Sequence, residues 1–201
     1  ISYNFSPKSR SIQPFKNLKI FDLKIFKLIK DFNINPLPSN INIRGDLNRR
    51  FNKTQYRNSD LSIEGVDAIY EKYFSINKSY GLRWNIFNSM NIDFNVINNS
   101  VVDEPVGELD SQEKLDSMYY NLKRLGRTNN FNQNIQINYK LPINKVPLLN
   151  WISSNAKYSS RYIWSAGSYQ QSDSLGNVVE NNREYSLNTK LDISKFYDKI
   201  P

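Results

Sequence analysis

Residues 131–141 read FNQNIQINYKL, and their alternation decides the fold class. The odd positions are Phe131, Gln133, Ile135, Ile137, Tyr139 and Leu141; the even positions are Asn132, Asn134, Gln136, Asn138 and Lys140. Side chains two apart share one face of an extended chain, so this stretch is a strand with one apolar face and one almost wholly amide face. A second run spans residues 152–164, with Ile152, Ala156, Tyr158, Tyr162 and Trp164 set against Ser153, Asn155, Lys157, Ser159 and Arg161. A third passes from Tyr185 through Leu187, Thr189, Leu191 and Ile193, against Asn188, Lys190 and Asp192. Strands in globular proteins commonly hold about five or six residues, whereas a strand that crosses a bilayer needs about nine to eleven with apolar and polar residues alternating.

Towards the N-terminus the same period returns. Ile41, Ile43, Gly45, Leu47 and Phe51 oppose Asn42, Arg44, Asp46, Asn48 and Arg50, and Arg49 interrupts the apolar set near one end, where a long side chain can snorkel. Phe74, Ile76, Lys78, Tyr80, Leu82, Trp84 and Ile86 form one face of a further strand, and Ile92, Phe94 and Val96 one face of the next, with a tight turn near Asn88-Ser89 making a hairpin. Ile1 to Phe5 reads as a strand tail. Expected strands cover residues 1–5, 39–56, 73–87, 90–101, 128–141, 150–168 and 180–195.

Two short helices are expected in the connections. Residues 18–30 place Leu18, Phe21, Ile25 and Ile29 on one stripe, a connector helix between prolines. Residues 111–125 place Leu115, Met118, Tyr119, Leu122 and Leu125 on one stripe, with Asp110 as N-cap, Glu113 three residues on and Gly126 as the stop. The acidic cluster Asp103, Glu104, Glu108 and Asp110 matches no cation-binding loop and reads as a solvated cap on a strand end.

The 201 residues carry neither Cys nor His, which removes thiol nucleophiles, disulfides, Cys metal sites and the usual imidazole acid–base group. The chain reads as no enzyme, with no cofactor and no metal. The formal charge of +8 comes from scattered Lys and Arg rather than a dense patch among aromatics, which argues against nucleic acid. Mean hydropathy is −0.63 although only 23% of residues are charged, because Asn supplies much of the polarity. Asn falls preferentially on one strand face, as a polar uncharged lining would require. Arg44-Gly45-Asp46 spells an adhesion tripeptide, but that motif works on a loop tip and here lies inside a strand.

Connections alternate in length. The links near 87–89 and from Leu141 to Leu149 are short; those at 57–71, 103–127 and 169–179 are longer and more polar. Outer-membrane barrels sort their loops in this way, and Trp151, Tyr162, Trp164 and Tyr197 sit where an interfacial girdle would. No run of 18 apolar residues is present, which leaves strands as the only way to span.

Several strings also resemble a known family: residues 29–33 (IKDFN) followed by Pro36 to Pro38, residues 48–52 (NRRFN) with 55–58 (QYRN), residues 125–128 (LGRT), residues 139–151 (YKLPINKVPLLNW), and Leu175-Gly176-Asn177 with Glu180-Asn181. Together, over nearly the whole chain, they resemble the SprA (Sov) family, the gliding-motility and cell-surface translocon of the type IX secretion system. That resemblance implies an all-β fold. Residues 1–201 would form one segment of a large antiparallel outer-membrane β-barrel, with long loops on one side, short turns on the other and short helices in connections. It would be a piece of wall unable to close alone, in the outer membrane of a Gram-negative bacterium. It further implies export of folded cargo bearing a C-terminal secretion signal, a link to gliding motility, and shuttle, plug and accessory periplasmic proteins as partners beside lipid. On this expectation Ile41, Ile43, Leu82, Trp84, Ile135, Ile137, Tyr139, Leu187, Leu191 and Ile193 meet lipid. Asn42, Arg44, Arg83, Asn134, Gln136, Asn138, Asn188 and Lys190 would line a wet lumen. The alternatives are another outer-membrane barrel, such as a nutrient transporter or porin, and a secreted soluble β-rich binding or adhesion module.

Overall fold

The alternation around residues 131–141 becomes the centre of a seven-stranded sheet. The structure, a computed structural model, describes residues 1–8, 10–17, 27–56, 67–146, 148–167 and 176–197. Its strands are β1 (Ser2–Phe5), β2 (Asn40–Thr54), β3 (Ile69–Phe87), β4 (Met90–Val101), β5 (Arg127–Leu141), β6 (Ile152–Ser165) and β7 (Val178–Leu191). Each pairs antiparallel with the next, so the order in space is the order in sequence, and the sheet is open between the edges β1 and β7. Helices α1 (Lys27–Lys30), α2 (Gln112–Lys123) and α3 (Ile193–Tyr197) and a 3-10 turn at Pro142–Lys145 lie in the connections.

The expected β-strands are all present, with shifted ends. β3 begins at Ile69 rather than at residue 73, because its pairing with β2 runs out to Thr54↔Ile69. β7 begins at Val178 and ends at Leu191, so Ile193 is not a strand residue. Asp192 ends the strand: its carboxylate accepts from Lys195 N at 3.4 Å and pairs with Lys195 Nζ at 3.0 Å, which starts α3. The N-cap of α2 is Ser111, whose hydroxyl accepts from Lys114 N, while Asp110 pairs with the Lys114 ammonium instead. Of the expected helix at 18–30, α1 is the described part, and Leu18, Phe21 and Ile25 lie outside the described residues.

One end of the sheet carries the links 55–68, 102–126 and 166–177; the other carries Asn88-Ser89 and 142–151. These are called the loop end and the turn end. The β1–β2 link, 6–39, also lies at the turn end and breaks the expected sorting of long and short connections. Part of it is held against the β3–β4 hairpin. Asn35 N donates to Ile86 O and Ser39 N to Arg83 O, each at 2.8 Å, and the Trp84 indole donates to Asn35 O at 2.8 Å. Phe32 packs on Phe87 at 5.4 Å between ring centroids, and Asp31 pairs with Lys145 of the 3-10 turn at 3.1 Å.

Among the described residues a packed core exists only where α2 lies on the sheet. Phe74 and Ile76 of β3, Val102 and Met118 form it, with Leu109 and Leu122 alongside. Burial of each large side chain contributes roughly 1.5–3 kcal/mol. The helix turns back at Leu125 and Gly126, with φ of 61° and 69°, and Gly126 N donates to Asn121 O at 3.0 Å. A Cβ at Gly126 would stand 2.7 Å from Val101 O, so both the left-handed backbone and the close approach require glycine.

Candidate functional site

Residues paired across an antiparallel ladder share a face, so the register assigns every strand residue to one side of the sheet. Two rungs show the apolar side: Trp84, Ile92, Ile137, Tyr158 and Tyr185, then Met90, Tyr139, Ala156 and Leu187. The intervening rungs of the other side are polar: Arg83, Asp93, Gln136, Ser159 and Glu184, then Asn91, Asn138, Lys157 and Ser186. Ile41, Ile43, Leu82, Trp84, Ile135, Ile137, Tyr139, Leu187 and Leu191 all fall on the apolar face. Ile193 does not, because it lies in α3. Asn42, Arg44, Arg83, Asn134, Gln136, Asn138, Asn188 and Lys190 all fall on the polar face.

Over most of its extent the sheet is one layer thick among the described residues. Among the described residues the buried hydrophobics are Phe74, Ile76, Val96, Val102 and Met118, and all but Val96 belong to the cluster under α2. Apart from the Phe32–Phe87 contact at the turn end, the rest of the apolar face is uncovered by other described residues: Tyr185 on the edge strand is 74% exposed and Leu187 66%, and Ile135, Ile137 and Tyr139 are half-buried among their strand neighbours. A sheet with one apolar face is stable only when that face is covered. A contiguous exposed apolar surface of this extent marks a contact with lipid or protein.

The apolar region also slants across the strands. Ile43 of β2 shares a rung with Tyr80, Val96, Gln133, Tyr162 and Asn181. On β7, however, the apolar side chains Tyr185, Leu187 and Leu191 lie towards the turn end from Asn181, beyond Arg183, with Val179 towards the loop end. The main apolar run of β7, Tyr185 to Leu191, therefore lies nearer the turn end than that of β2, Ile41 to Phe51.

The polar face is locally neutralised. Arg44 Nε donates to Asp46 at 2.8 Å, Arg83 Nε to Asp93 at 2.6 Å, and Asn91 Nδ2 to Asp93 at 3.1 Å. The adhesion-like tripeptide is thus a strand segment whose Arg and Asp bond each other. Gly81 makes a notch between Asn42 and Asn95, since a Cβ there would come within 3.3 Å of Asn95 Oδ1.

Aromatic rings stand at both ends of the apolar face. Phe131 and Tyr162 pack edge to face at 6.2 Å towards the loop end, and Trp151 meets Phe196 of α3 at 4.9 Å at the turn end. In the acidic loop after β4, the side chains of Asp103, Glu108 and Asp110 are exposed, as a solvated cap would be, whereas that of Glu104 is buried, and each of the four is ion-paired. Asp103 pairs with Arg127, Glu104 with Arg49 and Lys72, Glu108 with Lys53, and Asp110 with Lys114. The Glu104 side chain is only 4% exposed. Arg49 is anchored by this glutamate while its side chain still reaches water. The Lys53 hydrogen bond and charge hold the Glu108 carboxyl below its ordinary range, and the Lys114 hydrogen bond does the same for Asp110. The sequence signal for this clasp was present as basic residues on an otherwise apolar face facing an acidic loop, but register was needed to bring them together.

Among the described residues no group of three or more His, Cys, Asp or Glu could hold a metal ion. No protein-family model matches the chain, and no curated protein matches it.

Proposed function

We propose that this chain is a wall segment of a protein-conducting outer-membrane β-barrel that exports folded cargo to the cell surface. The observation that carries the reading is the antiparallel sheet whose apolar face, among the described residues, is covered only by α2 and, at the turn end, by the β1–β2 link at Phe32. Lipid suits that face better than a second protein layer. From Phe131 to Leu141 the strand rises about 33 Å, which at a tilt of ~40° projects to ~25 Å, the height of the apolar band of outer-membrane barrels. The opposite face offers amides and paired charges, a lining that hydrogen-bonds varied cargo without trapping one sign of charge.

The type IX secretion role, the link to gliding motility and the shuttle, plug and accessory partners rest on the resemblance to the SprA (Sov) family. A nutrient transporter or porin would use the same wall. A secreted soluble module draws on one observation, the packing of α2 on the apolar face, and it requires a second layer over Ile137, Tyr158, Tyr185 and Leu187.

Single cysteines along residues 131–141 and 185–191 of the full-length protein test the reading, since the segment has no native Cys. In native membranes a water-soluble thiol reagent is expected to label the even positions of 131–141 and to reach the odd ones only after detergent. Uniform labelling or uniform protection would remove the barrel. Retention of cargo inside cells depleted of the protein separates a translocon from a porin.

A further inference from the structure

We infer that the turn end of the polar face, around Asn155, is a docking site for an acidic extended polypeptide segment. This rests on the polar face lining the channel, and it names what that face first meets at its turn end.

Asn155 of β6 stands directly opposite Lys140 on β5 and Asn188 on β7. Lys157 lies two residues along the same strand, opposite Asn138 and Ser186, and Lys190 lies on the diagonal, opposite Ser153. Three lysines on three adjacent strands therefore surround one asparagine, and Lys140, Asn155, Lys157, Asn188 and Lys190 are all exposed. A shallow trough runs across Lys140, Asn155, Asn188 and Lys190.

Charge complementarity selects the occupant. Two other cations of the polar face, Arg44 and Arg83, are each bonded to an aspartate of the same face. Among the described residues none of the three lysines has an ion pair. Of the acids around them, Asp192 is engaged by Lys195 at 3.0 Å, Asp31, which lines a cavity with Lys140, is engaged by Lys145 at 3.1 Å, and Glu184 lies on the loop-end diagonal from Lys157. Three ammonium groups of like charge on one patch oppose each other unless an anion joins them.

The spacing favours a row of anions over one compact anion. Lys140 and Lys157 are diagonal neighbours at about 7–8 Å, and Lys190 stands two strands across and two residues along from Lys140, about 12 Å away. Alternate side chains of an extended peptide repeat every ~7 Å, so carboxylates spaced along one segment can reach all three lysines. The amides of Asn138, Asn155 and Asn188 can donate to and accept from its backbone. Lys–carboxylate pairing on a wet face is screened by salt and releases readily, which suits a transient contact during passage.

The test uses the full-length protein in detergent and a fluorescent deca-glutamate peptide, read by anisotropy. Binding is expected to weaken at least tenfold when Lys140, Lys157 and Lys190 are all changed to Gln, and to persist when all three become Arg. A charge-matched control, Lys16, Arg50 and Lys123 changed to Gln, is expected to bind as the parent does. Equal loss in both Gln sets, or no loss in the first, overturns the site. Displacement of the peptide by phosphatidylglycerol micelles at a lower concentration than by unlabelled peptide would assign the patch to lipid and overturn it too. Labelling of Asn155→Cys in membranes is read separately. Peptide binding with a protected thiol in Asn155→Cys would keep the docking site and sink the channel lining, and an accessible thiol without binding would do the reverse.

Discussion

Arg49 and Glu104 join through two hydrogen bonds, Nε to Oε1 at 2.6 Å and Nη2 to Oε2 at 3.1 Å, and so tie the loop after β4 to the apolar face of β2. Lys72 of β3 approaches the same carboxylate at 3.9 Å and donates to Pro105 O at 2.7 Å. The loop and α2 thus form a clasp. Its hydrophobic half is Phe74, Ile76, Val102 and Met118, and its ionic half caps the cations that interrupt the apolar strand faces.

Removal of Glu104 leaves Lys72, whose side chain is 13% exposed, without its carboxylate. Arg49 is 41% exposed, so water recovers part of its loss. Glu104→Ala is expected to destabilise the clasp by about 1–3 kcal/mol. Protease added to intact membranes should then cut within residues 103–126 well before it cuts the strands. An unchanged cleavage pattern would show that the hydrophobic half holds the loop alone.

Acid should loosen the same loop. Lys53 holds Glu108, and Lys114 holds Asp110, below the ordinary carboxylate range. A carboxyl with a depressed folded-state pKa stabilises the fold fully above its unfolded value, near 4. The contribution disappears as pH falls through the lower folded value. Both groups are exposed, so the effect is modest. Cleavage by an acid-active protease should rise below about pH 4, and the Glu108→Gln variant should show a flatter rise.

Two glycines make a matched pair. Gly126 holds φ at 69°, and its added Cβ would meet Val101 O at 2.7 Å, whereas an added Cβ at Gly45 meets nothing within 4 Å. Gly126→Ala should cost roughly 1–3 kcal/mol and lower the amount of assembled protein in the membrane. Gly45→Ala, on an open strand face, should leave assembly unchanged. Similar loss from both would mean that the sheet tolerates no substitution, and the turn would carry no special role.

Period-2 patterning made the sheet legible because each strand puts mainly apolar side chains on one face and mainly polar ones on the other. The Asn-rich even positions of 131–141 and the paired Asn88-Ser89 turn left little freedom in register. The strand ends were less legible. Asp192 looks like one more polar position after Leu191, yet its bond to Lys195 turns the chain into α3 and takes Ile193 off the sheet. The clasp was hidden for a different reason. Glu104 and Arg49 are separated by β3 and β4, and only the register of three strands brings them together. The β1–β2 link at 6–39 escaped the loop sorting because β1 is short and its pairing partner, β2, had to be known first.

Ile137 and Asn138 are neighbours on β5 and point to opposite faces. Ile137 stands between Ile92 and Tyr158, in the middle of the apolar band, while Asn138 stands between Asn91 and Lys157. If lipid covers the first face, Ile137→Lys places an ammonium near mid-membrane and costs about 2–4 kcal/mol, enough to reduce barrel assembly severely. Asn138→Lys adds a charge to a wet face beside Lys157 and Lys140 and costs only their mutual repulsion, which salt screens. Heat-modifiable migration of the full-length protein from washed membranes reads assembly directly. Loss for Ile137→Lys with retention for Asn138→Lys is the expected outcome. Equal tolerance would place water on both faces, and equal loss would place protein on both. In either case the sheet would belong to something other than a membrane wall.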